Sequence, residues 1–87
     1  MAYKTGNKIV VRTIKTVFYY GKQVVKTNKA SHANRAVLHC VNHMQLNTYE
    51  ATHAEVYDEE TGVLHAVIRR TIKGIAILYK REVREEY

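Results

Sequence analysis

The longest amphipathic segment of this chain lies near its middle, at Ser31–Asn47 (SHANRAVLHCVNHMQLN). Its apolar residues recur three or four positions apart, which is the spacing of one face of an α-helix. A second set, basic or imidazole-bearing, repeats at nearly the same spacing on another face. The apolar set is Ala33, Val37, Cys40, Val41 and Met44, and the second set is His32, Arg35, His39 and His43. The pattern predicts one core-forming helix with Ser31 as its N-cap, because a serine hydroxyl accepts an amide hydrogen of the first turn.

The segments on both sides of this helix have the β-branched and aromatic composition, or the strict alternation, that is typical of strands. The predicted strands are Lys8–Tyr20, Gln23–Thr27, Thr52–Tyr57, Val63–Ile72 and Ile75–Lys80. Gly21, Asp58–Gly62 and Lys73-Gly74 are the predicted turns between them, since glycine and aspartate favour turn conformations. The alternation of the first strand is imperfect, and a β-bulge near Arg12–Thr13 would reconcile its two halves.

The order strand, strand, helix, strand, strand, strand predicts an α+β two-layer sandwich, with one helix packed on an antiparallel sheet of about five strands. At 87 residues, the chain is expected to be a single domain over 1–87, with 1–7 and 81–87 loosely ordered. The sheet residues expected to meet the helix are Val10, Ile14, Phe18, Ala54, Val56, Leu64, Ala66 and Ile68. A homodimer is an alternative way to bury the second sheet face, which carries Ile9, Val11, Val63, Val67 and Tyr19.

The single cysteine and the amino-terminal sequence indicate a reducing environment. One cysteine excludes an internal disulfide, and Cys40 falls on the apolar helix face, which favours a buried thiol. The beginning MAYKTGNK lacks the apolar core of a signal peptide, and no apolar run approaches membrane-spanning length. We therefore expect a cytoplasmic protein without a membrane partner.

Charge is distributed unevenly along the chain. The 14 Lys and Arg against 8 Asp and Glu give a net charge of +6. Residues 1–49 contain eight of the basic residues and no acid, a charge of +8, whereas 50–87 contain six bases and all eight acids, a charge of −2. An acid-free half in so short a chain predicts a basic surface that attracts nucleic acid, an acidic protein or an anionic lipid.

Basic and aromatic residues that could form such a surface cluster near the first hairpin, the start of the helix and the last turn. They are Lys15, Tyr20, Lys22, Lys26, Asn28, Lys29, Arg35, Arg69, Arg70 and Lys73. Lysine and arginine neutralise phosphates and release counterions, and tyrosine stacks on unpaired bases. The alternative is that the lysines form a solvated face and that Tyr19 or Tyr20 packs in the core.

Metal binding and catalysis have weaker support in the sequence. His39 and His43 have the spacing of two ligands on one helix face, but the motif lacks the glutamate of the zinc proteases and has no cysteine pair or nearby carboxylate. A Cys40 nucleophile served by these histidines is disfavoured, because adjacent helix residues point about 100° apart. We therefore expect no metal, no cofactor and no enzymatic activity.

The general build, a short, basic, proline-free chain of this element order, resembles the small accessory proteins encoded by bacteriophages, including some anti-CRISPR inhibitors. The leading hypothesis is a small non-enzymatic module that contacts nucleic acid through its acid-free N-terminal half. The resemblance implies the alternative, a phage-type accessory protein that acts in the host cytoplasm. Such a protein would inhibit a host protein, for example a defence or nucleic-acid-processing complex, by direct protein binding. Its basic half would face an acidic or nucleic-acid-mimicking surface, or a nucleic-acid site beside its target.

Overall fold

The computed structural model describes residues 13–81 as one helix packed on one face of a five-stranded sheet. The elements are β1 (Ile14–Tyr20), β2 (Gln23–Ala30), α1 (Ala33–Leu46), β3 (His53–Asp58), β4 (Leu64–Thr71) and β5 (Gly74–Lys80). Neighbouring strands are all antiparallel, in the spatial order β2-β1-β3-β4-β5. This architecture confirms the predicted α+β sandwich. No helix within the described range is long and apolar enough to cross a membrane.

The core lies between α1 and the central strands, and α1 contributes mostly small side chains to it. The buried helix residues are Ala33, Ala36, Val37, Cys40 and Met44. The buried apolar residues opposite them include Ile14, Phe18, Ala54, Val56, Ala66 and Ile68. The predicted helix face is confirmed, with two differences: Ala36 joins the core, and Val41 is only half-buried at its margin.

Leu64, which the alternation assigned to the core, is instead exposed. Val56 pairs with Ala66, but its neighbour Tyr57 pairs with Leu64, so His65 is an extra residue in β4. Such a β-bulge reverses the side on which the preceding residues lie. The prediction for Leu64 was wrong because it assumed an unbroken period of two along this strand.

The beginning of α1 differs from the prediction. The helix starts at Ala33, and His32, with extended backbone angles, takes the N-cap position that was assigned to Ser31. The amide of Ala36 donates to the carbonyl oxygen of His32 at 3.0 Å, which is the first bond of the helix. The predicted Ser31 cap was therefore wrong by one residue.

The end of α1 is held by its own backbone and by a side chain from β4. Asn47 has a left-handed φ of 55°, and its amide donates to the carbonyl oxygen of Met44 at 3.1 Å. The guanidinium of Arg70 donates to that same carbonyl oxygen, to Asn47 Oδ1 at 2.9 Å and to the carbonyl oxygen of Ala51 at 3.3 Å. Arg70 thus fastens the C-terminus of the helix to the sheet.

Two of the predicted turns are confirmed, and the third is displaced. Gly21 has a φ of 61° in the β1–β2 turn. Asp58 Oδ1 accepts the amides of Glu60 and Thr61 at 2.9 and 3.0 Å in the β3–β4 turn. The last turn is residues 72–73 rather than Lys73-Gly74, because Thr71 pairs directly with Gly74.

Expectations for residues 1–12 and 82–87 lie outside the described residues. They include the start of the first strand at Lys8, the core role of Val10 and the bulge at Arg12. Within the described part of β1, the register with β2 shifts between Phe18 and Tyr19, farther along the strand than the predicted bulge.

Cys40 is a buried thiol, as predicted, with 1% of its surface exposed. Burial raises the pKa of the Cys40 thiol to about 12, since the interior disfavours the thiolate. An unfolded chain releases this proton near its ordinary pKa of about 8.5. The folded chain therefore binds more protons than the unfolded chain between these two values.

We expect the free energy of unfolding to fall as pH rises from about 9 to about 12, by up to about 1.4 kcal/mol per pH unit from this thiol alone. Urea unfolding of wild type and Cys40→Ala at pH 7 to 11 measures the effect. The two proteins differ only at residue 40, so the difference between them isolates the thiol. A difference that stays constant with pH would contradict this assignment.

We expect Arg70→Met to lower the free energy of unfolding by about 2 kcal/mol, because it removes three hydrogen bonds from a charged donor at the helix C-terminus. Arg69→Met is the matched control, since Arg69 is exposed and lies on the opposite face of the same strand. Equal midpoints for both variants in urea unfolding would contradict the capping role.

Candidate nucleic-acid interface

The antiparallel order brings the two basic turns to the same end of the sheet. β1 and β4 both run toward this end, so the β1–β2 turn and the β4–β5 turn lie there together with the C-terminus of α1. Lys22 lies in the first turn and Lys73 in the second, and both are exposed. Three strand spacings separate the centres of the turns, or roughly 14 Å at about 4.8 Å per spacing. The acidic β3–β4 turn lies at the opposite end.

The sheet divides the predicted binding residues between its two faces. Lys26 pairs with Phe18 and Asn28 pairs with Thr16, so both lie on the face that carries α1. Lys15 pairs with Lys29, on the other face, which also carries Arg69. The predicted set therefore forms two groups rather than one continuous patch.

Three members of the predicted set have surroundings that change their expected contribution. Arg70 holds the helix C-terminus, and its guanidinium is already committed to that contact. Lys29 Nζ lies 3.3 Å from Glu59 Oε1, so part of its charge is neutralised. Tyr20 is 60% exposed at the end of β1, which excludes the alternative that this tyrosine packs in the core.

A cleft of about 300 Å³ opens between α1 and the first hairpin. Thr16 and Phe18 of β1 form its floor, and both are buried. The space exists because small side chains, Ala30, Ala36 and Cys40, occupy the facing positions on β2 and α1. Larger residues there would fill the gap between the helix and the edge of the sheet.

Aromatic rings and polar groups converge around this cleft. The Tyr49 ring lies 4.8 Å from the Phe18 ring and 5.2 Å from the His43 ring, centroid to centroid. Lys26 Nζ lies 5.9 Å from the centroid of the same Tyr49 ring, within the range of a cation–π contact. Asn28 contributes an amide to the wall, opposite the helix. The cleft thus combines the partly exposed Tyr49 ring and hydrogen-bonding groups, with the Lys26 cation close to that ring.

Sequence reasoning missed most of the residues that line this cleft. Asn28 and Lys29 were predicted binding residues, but Thr16, His39, His43 and Tyr49 were not. The available signal was the histidine stripe of α1, which the structure turns toward β2, the acid-free edge strand. Among residues 13–81, no three His, Cys, Asp or Glu side chains form a group that could hold a metal ion.

The opposite face of the sheet is more mixed in charge. The Tyr19 ring stacks on the His53 ring, 4.7 Å apart and 7° from parallel. The Tyr19 hydroxyl donates to Glu55 Oε1 at 3.4 Å. Burial raises the pKa of Tyr19, and the negative charge of Glu55 raises it further. A carboxylate at the centre of this face makes it less suited to a polyanion than the side that carries the cleft.

Comparisons with protein-family models, with characterised proteins and with solved structures found no match to this chain. The features of the chain itself that bear on its function are an acid-free hairpin and helix and the aromatic and polar cleft between them.

Proposed function

We propose that this protein is a small, non-enzymatic, basic module that binds nucleic acid through the side formed by β1, β2 and α1. The observation that carries the proposal is the cleft, which opens where the acid-free part of the chain folds together. Lysines on β2 and in its turn contact the phosphates, and the encounter takes place in the cytoplasm.

The uneven distribution of charge along the sequence supports this side of the molecule, because the acid-free residues are also neighbours in space. Residues 13–49 are contiguous as β1, β2 and α1, and they contain no Asp or Glu. The turn that carries Asp58, Glu59 and Glu60 lies at the far end of the sheet from Lys22. A polyanion approaching the hairpin end therefore meets cations within a Debye length and few carboxylates.

Contacts to phosphates also fit the exposure of the edge strand. Residues 23–27 of β2 are all exposed, and Lys26 projects on the same face as the cleft. Exposed lysines retain the conformational freedom to follow a flexible backbone, and each phosphate they neutralise releases counterions. Binding of this kind is strong at low salt and weakens steeply as salt increases.

A second candidate is the phage-type accessory protein that inhibits a host protein by direct binding. The observation that favours it is again β2, an edge strand of the described sheet in which Val24 and Val25 are 52% and 40% exposed. An exposed, partly apolar edge can accept a strand from a partner protein. A pull-down repeated after nuclease treatment separates the two, because a direct protein partner survives the nuclease.

We expect Lys22→Glu/Lys26→Glu to weaken binding to a single-stranded oligonucleotide by at least about 10-fold at low salt. The plot of log affinity against log salt should also become shallower by about 1.5, because two phosphate contacts are lost. Fluorescence anisotropy from 20 to 200 mM salt measures both quantities, and thermal unfolding checks the fold of each variant.

Lys80→Glu/Arg81→Glu is the matched control, since it makes the same change of charge at the last residue of β5, the opposite edge strand, and at the residue that follows it. We expect it to weaken binding much less. Equal losses for the two double variants would show that only net charge matters, and no binding by wild type at low salt would contradict the proposed function.

We expect Glu59→Gln to strengthen binding about twofold at low salt, because it releases Lys29 from its surface ion pair. The same salt titration measures the effect. Glu60→Gln is its control, since it removes the same charge from the same turn. An equal gain in the two variants would assign the effect to net charge rather than to Lys29.

A further inference from the structure

We propose that the cleft between α1 and the first hairpin holds one unpaired nucleobase, so that the protein selects single-stranded over double-stranded nucleic acid. This inference rests on the proposed function and names its substrate class. It assigns the lysines to the phosphates and the cleft to the base.

The dimensions of the cleft suit a single planar heterocycle. Its volume of about 300 Å³ is at the lower end of the range for ligand pockets. The small side chains of Ala30 on β2 and Ala36 on α1 both line it and leave space between strand and helix. A base that enters from the β2 side would keep its phosphates beside Lys26.

The lining has the two properties that recognise a base. The partly exposed Tyr49 ring, which packs on the buried Phe18 ring, provides aromatic surface for stacking, which every base can use. Asn28, Thr16 and His39 provide hydrogen-bonding groups for the edge of the base. An amide such as that of Asn28 offers both a hydrogen-bond donor and an acceptor. It can therefore pair with a base edge that carries both a donor and an acceptor.

The charges around the cleft favour a base attached to phosphate over an uncharged ring. Lys26 lies above the Tyr49 ring, and Arg35 is on the same helix stripe as His39 and His43. The walls of the cleft contain no Asp or Glu. A backbone that passes along β2 therefore encounters cations on both sides of the point at which its base would enter.

A base pocket and a simple basic surface predict opposite preferences between single-stranded and duplex nucleic acid. A duplex has the higher charge density, so a surface that uses only electrostatics binds it at least as well as a single strand. A paired base cannot enter the cleft without leaving the stack, which has an energetic cost. A preference for the single strand is therefore evidence that a base enters the cleft. Loss of all binding in a lysine variant is evidence that the lysines contact the phosphates.

The test uses labelled oligothymidine of about 12 nucleotides, the same oligomer with abasic sites, its duplex with oligoadenine, and oligouridine for RNA. The abasic oligomer keeps every phosphate. We expect wild type to bind it about 10-fold more weakly than intact oligothymidine. We expect the duplex also to bind more weakly, and oligouridine, as an RNA single strand, to bind more tightly than the duplex.

Two variants alter the cleft without changing its charge, one by filling it and the other by removing an aromatic ring. Ala30→Leu fills it and Tyr49→Leu removes a ring, and we expect both to bind intact and abasic oligomers with equal, weakened affinity. Ala76→Leu and Tyr79→Leu, both on β5 and outside the cleft, are their matched controls and should behave as wild type. Because Tyr49 packs on Phe18, thermal unfolding of each variant is measured first. If Tyr49→Leu is unfolded, the comparison is made with Ala30→Leu alone.

Equal binding of intact and abasic oligomers by wild type would overturn the base pocket. If Lys22→Glu/Lys26→Glu still weakened binding in that case, the proposed nucleic-acid function would stand without the pocket. Equal or tighter binding of the duplex would likewise overturn the inference. No binding of any oligomer at low salt would overturn both.

Discussion

A single helix must cover a five-stranded sheet, and the geometry of this molecule follows from that constraint. A helix with its side chains is about 10 Å wide, whereas five strands at about 4.8 Å spacing extend roughly 19 Å from the first axis to the last. α1 buries Ile14, Phe18, Val56 and Ile68, which lie on the three central strands. The helix therefore leaves both edges of the described sheet incompletely covered, and the cleft lies at one of them.

The path of the chain then decides which charges lie beside that uncovered edge. β1 pairs with β2 on one side and with β3 on the other, so α1 passes over β1 between them. The acid-free residues 13–49 stay together, and the acidic turn after β3 lies at the end of the sheet opposite the β1–β2 turn. Glu59 of this turn forms a surface ion pair with Lys29 of the acid-free part. The electrostatic field of the hairpin therefore follows from the topology as much as from composition.

Neighbouring residues of the same chemistry have different roles because a strand alternates its faces. Arg69 is exposed on the face away from α1, whereas the next residue, Arg70, lies on the helix face and fastens its C-terminus. The sequence presents two equivalent cations for a polyanion. The structure uses one of them for stability, since a guanidinium satisfies several helix-terminal carbonyl oxygens at once.

The sequence by itself determined the element order, the α+β class and most of the core, because hydrophobic periodicity is a local property that each helix or strand carries alone. It also determined the acid-free half. Only the tertiary structure decided the bulge that exposes Leu64, the capping role of Arg70 and the approach of Tyr49 to Phe18 and His43. These features depend on the register between strands and on contacts between residues far apart in the chain, which no local pattern encodes.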